Sequence, residues 1–345
     1  MPTAMPSSPA TSTKRSFQGL VAMGELGFAD VAGDVPDNGM EEINAHPGVY
    51  VGADVNVTWA QLEPSPGVFD DSAIDSALAT IAAYNAKYPG TPVAAKLRVY
   101  AGPNVPAWLF SVAGGPITVS NSKGSMQIAA FWTSGYDAAW QGLQSHLAST
   151  YDPSTAIAEV AVSSCSSLSA EPFVISLDSA SLSAMRAYGF DDAAYMSCLT
   201  NAANDYAMWK ATPLDYTFNT YRLSDGTSLQ ADPSFTIGVM AAFRSALGSR
   251  AVLANHGLQS PLDAGAQPIY TEIGTLGAPA EFQGYSPTID WPSSVALAVS
   301  YHASEIEIWP TVAAGGSANL SLSQLQQFAA ELTPGQAATK RRSLR

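Results

Sequence analysis

The segment Pro268–Gln283, PIYTEIGTLGAPAEFQ, holds two glutamates, and either Glu272 or Glu281 could stand at the end of a strand. If IYTEIG is the strand, the apolar run Arg250–His256 before it has no room for a helix, and a long stretch before Ser293 has no element. Taking Pro268 as the first helical position and Gly277 as the helix stop removes both difficulties. A first turn has no use for the N–H that proline lacks, and glycine accepts the terminal conformation that other residues resist. Ile269, Ile273 and Leu276 then share one helix face, and Ala278–Gln283 becomes a strand. Glu272 is a helix residue on this reading, and Glu281 a strand residue.

Outward from this segment the same alternation recurs. Short apolar runs at Gly19–Gly24, Val49–Trp59, Val93–Tyr100, Ile157–Val162, Leu214–Asn219, Arg250–His256 and Glu305–Trp309 read as strands. Helical spacing of apolar residues marks Ser72–Tyr88, Met126–Tyr151, Ala193–Lys210, Phe235–Leu247 and Val295–Ala303, with Asp232-Pro233 as a helix start. Strand–helix alternation repeated eight times predicts a (β/α)8 TIM barrel. A doubly wound open sheet usually carries a glycine-rich turn after its first strand, and GELGFADVAG, Gly24 to Gly33, lacks the G-x-G-x-x-G spacing. The expected organisation is a flexible Pro/Ser/Thr-rich leader over 1–16, one barrel domain over 17–333 and a flexible basic tail over 334–345.

The 345 residues carry 15 Lys+Arg against 29 Asp+Glu, a formal net charge of −14. Such a chain lacks the basic footprint of a nucleic-acid binder and repels anionic membrane, so a neutral substrate is expected. No apolar run reaches the roughly 20 residues of a membrane span. Low charge with abundant Ser, Thr, Ala and Gly tilts the compartment towards the extracellular. Cys165 and Cys198 could pair there.

Side chains alternate along a strand, so polar residues in step mark one face. Asp54, Asn56 and Thr58 alternate with Val55, Val57 and Trp59; Lys96 and Arg98 with Leu97 and Val99. Glu281 and Gln283 alternate with Ala280 and Phe282; Glu305, Glu307 and Trp309 with Ile306 and Ile308. Parallel strands that only pack are near-continuously apolar, so the barrel mouth is read as lined with carboxylate, amide, guanidinium and indole. That lining suits a sugar, whose hydroxyls need partners and whose ring faces stack on aromatics. Trp59, Trp108, Trp291, Trp309, Tyr100 and Tyr221 fall at or just past strand ends. Glycoside cleavage needs two carboxyl groups flanking one bond. Glu171 follows strand 4 in the weakly charged SSCSSLSAEPFV, Ser163 to Val174, where poor solvation favours a proton donor, and Glu281 ends strand 7.

WAQLEPSPGVFD, Trp59 to Asp70, resembles the segment after strand 2 of clan A glycoside hydrolases, the β-galactosidase-like branches above all. KLRVYAGPNVPAWL, Lys96 to Leu109, resembles the stretch after strand 3 of the same enzymes. The resemblance implies a retaining β-glycosidase with its acid/base after strand 4, commonly in Asn-Glu-Pro, and its nucleophile at the end of strand 7. Ala170-Glu171-Pro172 matches the Glu-Pro, and Glu281 the strand-7 position; Ala170 replaces the asparagine that contacts the sugar, a role left to Asn219 or His256. The expected catalytic pair is Glu171 and Glu281, with Glu307 and Glu272 as rival nucleophiles. Arg98, Trp59, Trp108, Asn219, Tyr221, His256, Gln283, Glu307 and Trp309 are the expected substrate contacts.

The substrate expected is an oligo- or polysaccharide. The other reading is a glycan-binding barrel without catalysis. Lys96 would also serve a Schiff-base lyase, but its many acidic neighbours favour a salt bridge. Glu63 and Asp70 are read as turn and helix-start residues. His46, His146, His256 and His302 have no short metal-ligand spacing, so neither metal nor cofactor is expected.

Overall fold

The computed structural model describes residues 13–26, 39–121, 124–168, 170–174, 177–224, 229–311 and 318–333. Eight parallel strands close into a barrel: β1 Gly19–Leu26, β2 Tyr50–Thr58, β3 Ala94–Tyr100, β4 Ile157–Ala161, β5 Leu214–Thr217, β6 Ala251–Leu258, β7 Ala280–Gly284 and β8 Glu305–Ile308. Each strand pairs with its sequence neighbours, and β1 closes on β8 with Val21 opposite Glu307. All eight predicted strands are present. The predicted helix over 268–276 forms as Gln267–Leu276 with Pro268 in its first turn, and Gly277 ends it at φ 73°. That left-handed backbone costs a side-chain-bearing residue more than it costs glycine.

Helices lie outside the barrel and start where the sequence supplies caps. Asp232 accepts from the N–H of Ser234 and Phe235, Asp191 from Ala194, and Asp178 from Ser181; each such cap is worth about 1 kcal/mol. Two predicted helices are corrected. Met126 lies in a strand, Gly124–Ile128, paired antiparallel with Ile117–Asn121, and the helix begins only at Ser134 behind the cap Thr133. The segment read as one helix over Ala193–Lys210 is instead Asp192–Asn201 followed by a short 3-10 turn at Asn204–Tyr206, with a further helix, Ser179–Ala187, before it. A second hairpin, Tyr221–Ser224 with Leu229–Asp232, follows β5.

The floor of the barrel is closed by the chain that enters β1. Phe17 is buried, its N–H donates to Glu159 Oε1 at 2.8 Å, and its ring occupies the space a side chain at Gly52 would need. Lys14 was expected in the flexible leader, yet its N–H bonds to Ala211 O at 2.9 Å and its Nζ to Ile157 O at 2.8 Å. Residues 1–12, the tail 334–345 and positions 27–33 of the GELGFADVAG segment lie outside the described residues.

Candidate active site

The inward positions of the strands carry charge from floor to mouth. Lys96 Nζ, fully buried, lies 2.9 Å from Asp215 Oδ2, 3.0 Å from Glu307 Oε1, 3.2 Å from Glu305 Oε1 and 3.5 Å from Glu159 Oε2. This is the salt-bridge role expected of Lys96, and four carboxylates leave its amine no freedom to act as a nucleophile. One layer up, Arg98 bonds to Asp54 at 3.0 Å and to Glu307. Glu159 and Asp215 escaped the sequence reading, although Ile157–Ala161 and Leu214–Thr217 show the same period-2 step that exposed the other inward residues.

Six buried carboxyl groups (Asp54, Glu159, Asp215, Glu281, Glu305 and Glu307) share two permanent cations, Lys96 and Arg98, so they cannot all be ionised. Burial pushes Asp54 up to about 8 although Arg98 opposes the rise. Burial pushes Glu159 and Glu305 up as well, with Lys96 opposing. Burial acts on Glu307 in the same sense, but Arg98 and Lys96 outweigh it and hold its carboxyl well below the usual range. Arg98 thus keeps one ionised partner, Glu307, and one protonated partner, Asp54.

Above this layer His256, on β6, joins the two predicted catalytic glutamates. Its Nδ1 lies 2.8 Å from Glu171 Oε1 and its Nε2 3.4 Å from Glu281 Oε2. Thr217 Oγ1 is 3.2 Å from Nε2, and Asn219 Nδ2 donates to Glu171 Oε2 at 3.3 Å. Burial alone would lower the imidazole pKa, but the Glu171 and Glu281 carboxylates more than offset it and hold it well above the usual histidine value. Glu281 is fully buried; burial and then Glu307 raise its pKa to about 7, against the cations of His256 and Lys96. Neither of its oxygens has an aligned hydrogen bond among the described residues.

A cleft of about 200 Å³ opens over this group, walled by Asn56, Arg98, Tyr100, Glu171, Gln283 and Trp309. Trp309 is fixed by its indole N–H, which donates to Gly284 O at 2.7 Å. Arg98, His256, Gln283 and Trp309 therefore meet Glu171 at the mouth, while Glu307 lies beneath it.

Three predicted substrate contacts fall elsewhere. Trp59 is fully buried among Trp108, Tyr136 and Trp140, its indole N–H on Glu63 Oε2 at 2.9 Å, because it begins a one-turn helix that faces the outer shell. Trp108 is half-buried beside it and bonds to Glu63 O. Tyr221 is buried with its hydroxyl towards Asp192, since the Tyr221–Ser224 hairpin carries it off the barrel axis. Trp291 likewise opens an outer helix. Glu272 sits on the Gln267–Leu276 helix, as expected. Glu63 accepts from the N–H of Gly67 and Asp70 from that of Ser72, the turn roles expected of them.

Among the described residues two triads place ligand atoms near enough to share an ion: His256 with Glu281 and Glu307, and Glu159 with Asp215 and Glu305. The second is already centred on the Lys96 ammonium. The first contains a histidine held in its cationic form and a carboxylate paired with Arg98. Neither donor set suits a resident metal.

No protein-family model and no curated protein sequence matches the chain. Solved structures do resemble it in fold. Endo-glycoceramidase II from Rhodococcus sp. is 13% identical at a TM-score of 0.55, over 91% of this chain and 80% of that one. The same protein, as its lactosyl-enzyme intermediate, aligns at a TM-score of 0.54, 12% identity and the same coverage. Exo-beta-1,4-mannosidase Op5Man5 from Opitutaceae bacterium strain TAV5 is 12% identical at 0.51, over 98% of this chain and 63% of that one. The beta-galactosidase from Rahnella sp. R3 is 12% identical at 0.50, over 94% and 57%. At these identities the likeness establishes the fold alone, a (β/α)8 barrel shared with these proteins.

Proposed function

We propose that the protein is a glycoside hydrolase that cleaves a β-glycosidic bond of a neutral oligo- or polysaccharide with retention. The observation that carries this reading is the convergence of Glu171, after β4, and Glu281, on β7, on the two ring nitrogens of one histidine beneath an aromatic and amide-lined cleft. The fold relatives include a glycosidase captured as a lactosyl-enzyme intermediate, which is the kind of species this reading requires.

In the first step a Glu281 oxygen attacks the anomeric carbon while Glu171 gives its proton to the departing glycosidic oxygen. In the second, Glu171 takes a proton from water, and the resulting hydroxide releases the sugar from Glu281. The Glu281 oxygens suit a nucleophile, because among the described residues no aligned hydrogen bond holds them and their contact with His256 is the longer one, at 3.4 Å. Glu307 is the poorer nucleophile, since Arg98 and Lys96 both occupy its carboxylate. His256 holds a proton 2.8 Å from Glu171 and supplies it when substrate enters. The imidazole stands between the two carboxyl groups, so substrate must displace its contact with Glu171 to reach Glu281.

That same burial of Glu281 favours one other reading, a glycan-binding barrel that does not turn over. Assay of a panel of aryl β-glycosides separates the two. Glu281→Gln abolishes turnover of every active substrate, whereas Glu171→Gln spares first-step reaction with dinitrophenyl leaving groups, which need little protonation. Sugar binding without hydrolysis by the intact protein would leave the binding reading.

A further inference from the structure

A second cavity lies outside the barrel mouth. It measures about 420 Å³ and lies between the first turns of the Ser134–Tyr151 helix and one face of the Asp192–Asn201 helix, with Ser164 in its wall. That volume falls within the roughly 300–1,000 Å³ typical of small-molecule sites. None of its wall residues belongs to the cleft.

Its wall has a definite chemistry. Trp132, half-buried and braced by ring contacts with Phe131 and Phe190, supplies an aromatic surface. Facing it, Ser197 and Asn201 stand one helical turn apart, and Asn204 extends the amide edge. Gln141 Nε2 donates to both Asp137 Oδ2 at 3.3 Å and Asp205 Oδ1 at 3.1 Å, tying the two carboxyl groups together. The buried hydroxyl of Tyr136, also in the wall, has no hydrogen-bond partner among the described residues.

We propose that this cavity is a second carbohydrate-binding site, which takes a neutral mono- or disaccharide independently of the cleft. Among the described residues no Lys, Arg or His lines it, and its charged residues are Asp137 and Asp205, so an anionic ligand is disfavoured. Amides, hydroxyls and carboxyls alternating around an indole match a pyranose, which offers a hydroxyl at nearly every ring carbon and an apolar face. A divalent cation would need both carboxylates ionised, yet burial, with Asp137 adding to it, pushes Asp205 up to about 7. Asp205, holding its proton, donates to a sugar hydroxyl, and the carboxyl oxygens of Asp137 beside it accept from one. The disulfide Cys165–Cys198 ties this wall to the segment that leads into Glu171, so ligand here contacts the support of the acid/base loop.

The test is calorimetric titration of the intact protein with 4-thiocellobiose and with thiolactose, whose sulfur linkage resists hydrolysis. Two independent binding events are expected for at least one of them. Ser197→Trp, at an exposed helix position, fills the cavity and removes one event, and Asp137→Ala weakens that same event about tenfold or more. Trp309→Ala in the cleft removes the other. A far-UV circular dichroism melt confirms that each variant is folded, and Asp137→Ala serves if Ser197→Trp is not. A single event lost in Trp309→Ala and untouched by both cavity variants overturns the proposal. So does binding of calcium chloride at Asp137 and Asp205 with no sugar effect. Hydrolysis of aryl glycosides is read separately, so loss of the glycosidase reading leaves this titration intact.

Discussion

His256 touches Glu171 through Nδ1 at 2.8 Å and Glu281 through Nε2 at 3.4 Å, so one imidazole couples two carboxyl groups that belong to β4's loop and to β7. The two contacts are unequal. The shorter is a charge-assisted hydrogen bond, and the longer is an electrostatic contact that leaves Glu281 without an aligned donor. A proton placed on this ring neutralises part of the charge at both ends, which makes the histidine the electrical centre of the site.

His256→Gln removes that cation. Glu281, already raised to about 7, should rise further, because the opposing charge is gone while burial and Glu307 remain. A nucleophile must be ionised, so the acidic limb of the kcat/KM profile, expected near pH 7 in the wild type, should move to higher pH. A pH–rate profile in which the limb stays in place contradicts the coupling.

Lys96→Met leaves Asp215, Glu305, Glu307 and Glu159 around an apolar stem. Breaking a buried ion network in this way costs about 3–5 kcal/mol. Urea unfolding should show that loss at pH 8 and a smaller one at pH 5, where more of the carboxyls carry protons. Adding Glu305→Gln should recover part of it. A loss under about 1 kcal/mol at both pH values would contradict the network's role.

The wild-type protein should be more stable in mild acid than in mild base. Asp54, Glu159, Glu281 and Glu305 have raised folded-state pKa values, so the folded chain holds protons that the unfolded chain releases. Their contribution is present below the unfolded values near 4 and is lost as pH rises towards about 7 and 8. His256 acts in the same direction, its contribution present below about pH 6.5 and lost as pH rises through its elevated folded value. Asp152 acts oppositely: hydrogen bonds from Thr212, Ala211 and Lys210 outweigh burial and depress it, so its contribution is lost only as pH falls below the usual range. Urea midpoints should therefore fall between pH 5 and pH 8. A rising midpoint would contradict the protonation pattern.

Much of this arrangement was readable in the chain. The alternation in Asp54-Val-Asn, Lys96-Leu-Arg and Glu305-Ile-Glu follows from the period of an extended backbone, and Asp54, Lys96, Arg98, Glu305 and Glu307 do meet inside the barrel. Pro268 and Gly277 fixed the helix before β7 because each acts through its own φ. Aromatics were less legible. Trp59 and Tyr221 stand near strand ends, but whether such a ring turns to the mouth or to the outer shell depends on the loop that follows. Glycine at 124 and the strand pairing of Met126 with Val119 decided against a helix there, and that is a long-range partnership spacing does not show. His256 was expected in the pocket, yet its place between Glu171 and Glu281 arises from three separate strands or loops meeting.

Reduction should loosen the loop that carries Glu171. The Cys165–Cys198 bond closes a loop across 33 positions and anchors the start of the segment leading to Glu171. Its loss, by Cys198→Ser or by dithiothreitol, should lower stability by about 2–4 kcal/mol. Reducing and non-reducing thermal melts that coincide would contradict a structural role.

Covalent trapping tests the central claim most directly. The protein is incubated with the 2,4-dinitrophenyl 2-deoxy-2-fluoro derivatives of β-D-glucose, β-D-galactose and β-D-mannose, and its peptides are mapped by mass spectrometry. The account predicts one fluorosugar ester, on Glu281, abolished in Glu281→Gln. An ester on Glu307 or Glu171 in its place, or hydrolysis of the matching natural-type aryl glycosides with inversion and no ester, would contradict it.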